Sequence, residues 1–372
     1  MKPPFGDPLH SLSRRSVLRG LAGVSMLGLA GCASLQNVNE WSFGGPGLGA
    51  LAREKGRQYG AAVQSGQLED DAFANVLIRE AGLLVPETEL KWDVLRPTQH
   101  TFNFSGYEKI AAFARDNHIG MRGHALVWHQ ANPAWLAPAL SSHHNAEKIL
   151  ETHIARVIRE TSPLIRNWDV VNEAVSIHSK REDGLRETIW LKALGPDYVA
   201  LAFLLAHKAN PALTLVYNDY GMERDGSDGR TKRQCILRLL EQCVREKVPV
   251  DALGLQSHLQ AHHPLAGGEF TEFLKEVRAQ GLQIFITELD LDVSSLSGRA
   301  DDKIILAQNY LRTYLDMVQE SGEVDLLLTW GLSDRYSWLR QSKTRLAGAL
   351  PLDGELNRGA MWETLRDKWV GA

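Results

Sequence analysis

Two glutamates sit in settings that suit acid–base chemistry. Glu173 closes the run Trp168-Asp169-Val170-Val171-Asn172-Glu173, and Glu288 lies in Ile286-Thr287-Glu288-Leu289-Asp290. A pair of carboxyl groups can cleave a glycosidic bond: one protonates the departing oxygen, and the other attacks the anomeric carbon or activates a water. The two are 115 residues apart in sequence, so only the fold can bring them together. Their neighbours divide the work. Side chains alternate along a strand, so Glu288 and Asp290 share a face. Adjacent acids raise one another's pKa unless a cation or imidazole intervenes, and His258 is placed to bridge them, which keeps Glu288 ionised. Glu173 is flanked by Val170, Val171, Asn172 and Ala174, with no basic neighbour in sequence, which favours a protonated carboxyl. The contrast assigns Glu173 as acid/base and Glu288 as nucleophile, with His258 and Asp290 supporting the latter.

Elements that could position such a pair recur along the chain. Short apolar runs occur at 59–64, 83–88, 119–128, 165–173, 212–220, 252–258, 283–290 and 326–334, eight in all. Between them lie amphipathic segments such as 146–160, 229–247 and 301–321, with apolar residues at helical spacing. Eight strand–helix units in series predict an α/β fold of the (β/α)8 TIM barrel type in a single domain rather than a doubly wound sheet. Each run starts apolar and ends in groups that could act on a ligand: Glu87, His124, Asn172 and Glu173, Asn218 and Asp219, Gln256 and His258, Glu288 and Asp290, and Trp330. In a parallel barrel these ends converge on one face, where such enzymes place their sites.

Composition narrows the function. The chain has 372 residues, 44% hydrophobic and 23% charged, with a net charge of −4 and ten Trp. That profile excludes a disordered chain and a multi-span membrane protein, and no Lys/Arg block offers a nucleic acid anything to bind. A Trp surplus suits flat stacking surfaces for rings, although more than half are expected in the core. At the N-terminus, Ser13-Arg14-Arg15-Ser16-Val17-Leu18 precedes an apolar Gly/Ala-rich stretch too short to span a membrane and resembles a twin-arginine export signal. Leu29-Ala30-Gly31-Cys32 resembles a bacterial lipobox, in which Cys32 is lipidated and becomes the first mature residue. The expected division is therefore an export signal at 1–31, a lipidated Cys and tether at 32–50, and a catalytic barrel at 51–372. The product would be an exported, lipid-anchored protein of the cell envelope, and a monomer. Cys235 and Cys243 lie eight residues apart in a helical pattern; about 12 Å of helix separates them, beyond disulfide reach, so both are expected as free, buried thiols.

The ordered motifs KGRQYGAAV, PETELKWD, RGHALVWH, WDVVNEA, YNDY, LQSH, ITELDL and TWGLSDRYSWL, spread over nearly all of residues 51–365, closely resemble the endo-β-1,4-xylanases of glycoside hydrolase family ten. The resemblance implies a retaining mechanism acting on xylan or xylo-oligosaccharides without a cofactor. It places Glu173 as acid/base, Glu288 as nucleophile, and His258 with Asp290 as the pair holding the nucleophile. It also implies substrate contacts at Glu87, Lys91, His124, Trp128, Asn172, Gln256, Trp330 and Trp338. Two positions depart from the family pattern: Thr88 stands where Asn is usual and Ala131 where Gln is usual, which predicts a weakened subsite two sugars from the cleaved bond. The residues leave open a β-1,4-glucanase or cellulase on the same barrel, and a non-catalytic lipid-anchored glycan-binding protein. A metal-dependent hydrolase is disfavoured, because His124 and His129 are not spaced to share a metal along an extended strand.

Overall fold

Buried on both faces, parallel strands read as near-continuous apolar runs, and this chain has eight that close into a barrel. The computed structural model describes residues 45–294, 296, 298–341 and 348–371. Its strands are β1 (Gln58–Val63), β2 (Leu83–Pro86), β3 (Gly120–Gly123), β4 (Ile165–Asn172), β5 (Thr214–Asp219), β6 (Ala252–Leu255), β7 (His258–Gln260), β8 (Gln283–Asp292) and β9 (Leu326–Thr329). All neighbours are parallel, β1 pairs with β9, and the β6–β8 pairing shuts the ring. The short β7 is the one addition to the eight expected runs. It continues β6 beyond a break at Ser257, whose φ of 61° is left-handed and whose hydroxyl bonds to the Leu255 carbonyl and the Tyr314 hydroxyl. Beyond the break the chain pairs with the far end of β8, setting His258 opposite Asp290.

Helices α1 (Leu48–Glu54), α2 (Asp71–Glu80), α3 (Trp92–Leu95), α4 (Ser105–Asp116), α5 (Leu136–Ala139) and α6 (His143–Thr161) accompany the first half. The second half carries α7 (Ile189–Leu194), α8 (Tyr198–Ala209), α9 (Gly226–Arg245), α10 (Gly268–Ala279), α11 (Ala300–Glu320) and α12 (Ala360–Thr364). In α6 the buried Ala146, Ile149, Leu150, His153, Ile154, Val157, Ile158 and Thr161 form a stripe of helical period, and Ser142 caps its start by accepting from the Asn145 N–H. Such stripes face the outside of the sheet, giving one large core between strands and helices. A smaller core of Ala62, Leu83, Val85, Val216, Ala252, Phe285, Leu326, Leu328 and Trp330 lines the inside. Cys235 and Cys243 are free and buried on α9, as their spacing requires.

One boundary moves. The stretch read as tether to residue 50 includes the start of α1, where Leu48 is fully buried and its N–H donates to Glu80 Oε2 at 3.1 Å. Gly47 and Gly49 allow this approach, since a Cβ at either would lie within 2.5 Å of the α2 terminus backbone. The twin-arginine stretch and Cys32 lie outside the described residues.

Candidate active site

The C-terminal ends of the strands open into a cleft of about 460 Å³ lined by Glu87, Lys91, His124, Trp128, Asn172, Glu173, Gln256, His258, Glu288, Trp330 and Trp338. These are the residues expected there, apart from Asp290, which lies beneath His258. Tyr220, Arg224, Gln130 and Gln260 complete the wall. Neither Thr88 nor Ala131 lines the cleft; Ala131 takes a left-handed φ of 51°, and the neighbouring Gln130 faces the cleft instead.

Glu288 lies within the buried run Ile284–Leu291 of β8 and is 4% exposed. Oε1 accepts from Asn218 Nδ2 at 2.6 Å and lies 3.7 Å from His124 Nδ1; Oε2 lies 3.2 Å from His258 Nε2. Burial alone would push this carboxyl up, but His124, the hydrogen bond and charge of His258, and Lys91 bring it down to about 2. His258 stands between two acids, with Nδ1 3.0 Å from Asp290 Oδ1. Burial would lower its pKa; the Asp290 and Glu288 carboxylates instead hold it well above the usual imidazole range, so it is an imidazolium. Asp290 is fixed in turn by Trp338 Nε1, which donates to Oδ2 at 2.7 Å. His124 donates from Nδ1 to Asp169 Oδ2 at 2.9 Å, and Arg122 grips both oxygens of Asp169, one of them at 2.6 Å. His124, Asp169 and Glu288 bring possible metal-ligand atoms within 4.8 Å of one another. The bidentate Arg122, however, already supplies Asp169 with its counter-cation.

Glu173 follows β4 in a left-handed turn, φ 59°. The turn is held by its N–H donating to the Asn218 carbonyl and by Arg186 Nε donating to its own carbonyl, both at 2.9 Å. Its carboxyl is 8% exposed as a residue and its pKa is raised, first by burial and then by the charges of Asp219 and, less, Glu288; hydrogen bonds from Gln256 and Trp128 oppose this. Basic groups do come near in space although none is near in sequence. His129 Nδ1 lies 3.6 Å from Oε2, but burial, Arg186 and Lys232 push that imidazole down to about 4, against the pull of Asp219, so it is neutral.

An amide chain joins the two carboxyls. Asn218 Nδ2 donates to Glu288 and also to Asn172 Oδ1 at 2.9 Å; Gln256 Nε2 donates to Asn172 Oδ1 and to Glu173 Oε1, both at 3.0 Å; Asn172 Nδ2 reaches Glu173 Oε1 at 3.3 Å. Thr287 fixes the direction of Asn218 by donating to its Oδ1 at 2.6 Å. Gly254 on β6 makes room, since a Cβ there would lie 2.3 Å from that Oδ1. Over the cleft, Lys91 Nζ stands 4.8 Å from the Trp128 ring centre and 5.8 Å from that of Trp330. Trp330 is nearly buried against His124, whereas Trp338 is 45% exposed beside His258. Six of the nine described Trp are buried, so the stacking surfaces are few and concentrated here. The structural partners Asp169, Arg122, Arg186 and Gly254 were not singled out by sequence reasoning, and His129 was weighed there only as a metal ligand. Asn218 carried a signal as a polar strand end.

The arrangement can protonate one atom and attack another across one cleft: a carboxyl biased towards its protonated form just after β4 faces one held ionised on β8. Comparison with known proteins agrees with this chemistry. The profile of Glycosyl hydrolase family 10 matches residues 47–368. Endo-1,4-beta-xylanase B of Thermotoga neapolitana is 30% identical over 356 residues, covering 94% of this chain and 97% of that protein. The crystal structure of native xylanase 10B from Thermotoga maritima superposes with a TM-score of 0.77 at 30% identity, covering 87% of this chain and 98% of that one. Xylanase 10B from Thermotoga petrophila RKU-1, solved in complex with xylobiose, gives 0.77 at 29% identity and covers 87% and 97%. With a closed parallel barrel, one glutamate just after β4 and another within β8 facing the same cleft, and a match that runs the length of the barrel, this chain belongs to glycosyl hydrolase family 10.

Proposed function

We propose that the protein is a retaining endo-β-1,4-xylanase in which Glu288 is the nucleophile and Glu173 the acid/base. The observation that carries this reading is the opposite electrostatic bias of the two carboxyls, Glu288 held down to about 2 and Glu173 raised. Glu288 attacks the anomeric carbon as the glycosidic C–O bond breaks, and the leaving oxygen takes the proton of Glu173. Glu173, now a carboxylate, removes a proton from water; the hydroxide oxygen bonds to the anomeric carbon, and Glu288 leaves with its electron pair. His258, Asn218 and His124 keep Glu288 in line, and Asp290 keeps His258 charged. The exposed face of Trp338 and the faces of Trp128 and Trp330 suit pyranose rings, while Glu87, Lys91, Asn172 and Gln256 offer polar contacts to hydroxyls. The xylan substrate is supported by the relatives, one of which was solved with xylobiose. Proton NMR of xylo-oligosaccharide hydrolysis tests both points: the β-anomer appears first, and an initial α-anomer, or faster cleavage of a β-glucan, would overturn the reading.

The Arg14-Arg15 pair and Leu29-Ala30-Gly31-Cys32 further support export and lipid attachment at Cys32. Cys32→Ser would then leave the envelope membrane fraction without enzyme or leave the precursor uncleaved. An unchanged membrane-bound fraction would count against the anchor.

A further inference from the structure

Asp219, the last residue of β5, is fully buried and takes no part in lining the cleft. Its carboxylate nevertheless joins three separate pieces of chain around Glu173. Oδ2 accepts from the Tyr217 hydroxyl at 2.6 Å and from the Val175 N–H, two residues beyond Glu173, at 3.4 Å. Oδ1 accepts from the Tyr220 N–H at 2.9 Å and from Lys232 Nζ of α9 at 2.7 Å. Lys232, itself 3% exposed, also donates to the Val175 carbonyl at 2.7 Å. Both backbone groups of Val175 are therefore tied to this one ion pair. Arg186 completes the clamp by reaching the Glu173 and Val175 carbonyls and the Tyr220 hydroxyl.

We propose that Asp219 is a positioning residue for the acid/base, fixing the turn that carries Glu173 and setting a second negative charge beside that carboxyl, with Lys232 as the opposing charge that limits its effect. The proposal rests on Glu173 being the acid/base. The attraction in a buried ion pair repays the desolvation of its charges only where the geometry is good and further hydrogen bonds satisfy both groups. Here both oxygens and two protons of the ammonium are used, and the beneficiary is the left-handed turn at Glu173. After burial, Asp219 makes the largest contribution to the raised pKa of Glu173. The other titratable or charged groups facing Glu173 are Glu288 of β8, His129 after β3 and Arg186 before α7, with Lys232 of α9 behind Asp219. Around Asp219 itself stand Tyr217, Tyr198 of α8, Lys232 and Arg186.

The sign follows directly. The free enzyme works while Glu173 is protonated, so the basic limb of kcat/KM reports its ionisation. Removing the negative charge of Asp219 makes Glu173 ionise more readily, and removing the positive charge of Lys232 makes it ionise less readily. The full-length enzyme is assayed on xylotetraose and on nitrophenyl xylobioside from pH 4 to 10. Asp219→Asn moves the basic limb to lower pH, Lys232→Met moves it to higher pH, and the double variant lies between. Above its displaced limb, Asp219→Asn loses roughly tenfold or more on xylotetraose relative to the nitrophenyl substrate, whose leaving group needs little acid help. A purely structural role would lower rates and melting temperature without displacing the limb, and that result overturns the proposal. Where Asp219→Asn, with its unpaired buried lysine, yields no folded enzyme, Lys232→Met carries the same test with opposite sign, and an unmoved limb there also overturns it. Glu173→Ala run alongside separates the two failures: if it shows no dependence on leaving group, the acid/base assignment itself is wrong.

Discussion

Replacing Gly254 by Ala perturbs the nucleophile without touching it. An ideal Cβ at residue 254 falls 2.3 Å from Asn218 Oδ1, 3.1 Å from its Cγ and 3.0 Å from Thr287 Cγ2. The amide cannot swing aside freely, because Thr287, Asn172 and Glu288 hold it at 2.6, 2.9 and 2.6 Å. To reach ordinary contact it must move by about 1 Å, which breaks the bond to Glu288. A hydrogen bond to a charged group contributes about 1.5–3 kcal/mol, so kcat/KM falls roughly 10- to 150-fold at 1.4 kcal/mol per decade. Stability falls by about 1–3 kcal/mol from overpacking. Denaturant unfolding and kcat/KM for Gly254→Ala, Asn218→Ala and the double variant form a cycle. With the Asn218 amide gone, only Thr287 crowds the new methyl, and the stability cost of Gly254→Ala drops below about 1 kcal/mol. A wild-type rate for Gly254→Ala, or an equal stability cost in both backgrounds, would refute the argument that Gly254 exists to seat Asn218.

Glu288→Ala abolishes turnover on every substrate because no covalent intermediate can form, whereas Glu173→Ala loses about 10²–10⁴-fold on xylan and far less on nitrophenyl glycosides; equal losses on both substrates would reverse the assignment. The acid limb of kcat/KM lies well below the ordinary carboxylate range because Glu288 is held down to about 2, and His258→Gln, which removes the imidazolium, moves that limb to higher pH; a pH titration of both enzymes checks the direction. Gln130→Ala lowers kcat/KM on xylotriose about 2- to 10-fold, one hydrogen bond's worth, more than on aryl xyloside. Ala131→Gln brings no gain, because residue 131 does not line the cleft.

The barrel was legible because its signals are local. A parallel strand must be apolar through its length, and a helix on its outer face must repeat every three to four residues, so the eight runs and the helices α6, α9 and α11 fall within a few residues of expectation. Strand ends carrying Glu173 and Glu288 were legible for the same reason. What escaped were pairings made only through space. Nothing near Asp219 in sequence announces Lys232 or Val175, and nothing near Arg122 and His124 announces that both reach Asp169 of β4. The break at Ser257 escaped because its cause, the Tyr314 hydroxyl, comes from α11. The start of α1 escaped because Gly47 and Gly49, which look like linker residues, are there for close contact with α2. Thr88 and Ala131 invited a deduction from missing amides, whereas neither lines the cleft and Gln130 does.

The chain of Asn218, Asn172 and Gln256 between the two glutamates is built wholly from carboxamides. A carboxamide transmits position, since its bonds have fixed length and direction, but near neutral pH it neither gains nor gives up a proton. The two carboxyls are thus registered against each other like parts on one rigid frame and yet insulated against proton leakage through the protein. The opposite bias set on them in the free enzyme is therefore not relaxed by exchange along this chain, and through the double displacement protons cross only through the sugar oxygen and the incoming water. An engineered hydroxyl or carboxyl in this chain would lay a wire where the fold has placed an insulator, letting the charged and neutral partners trade states before the substrate arrives.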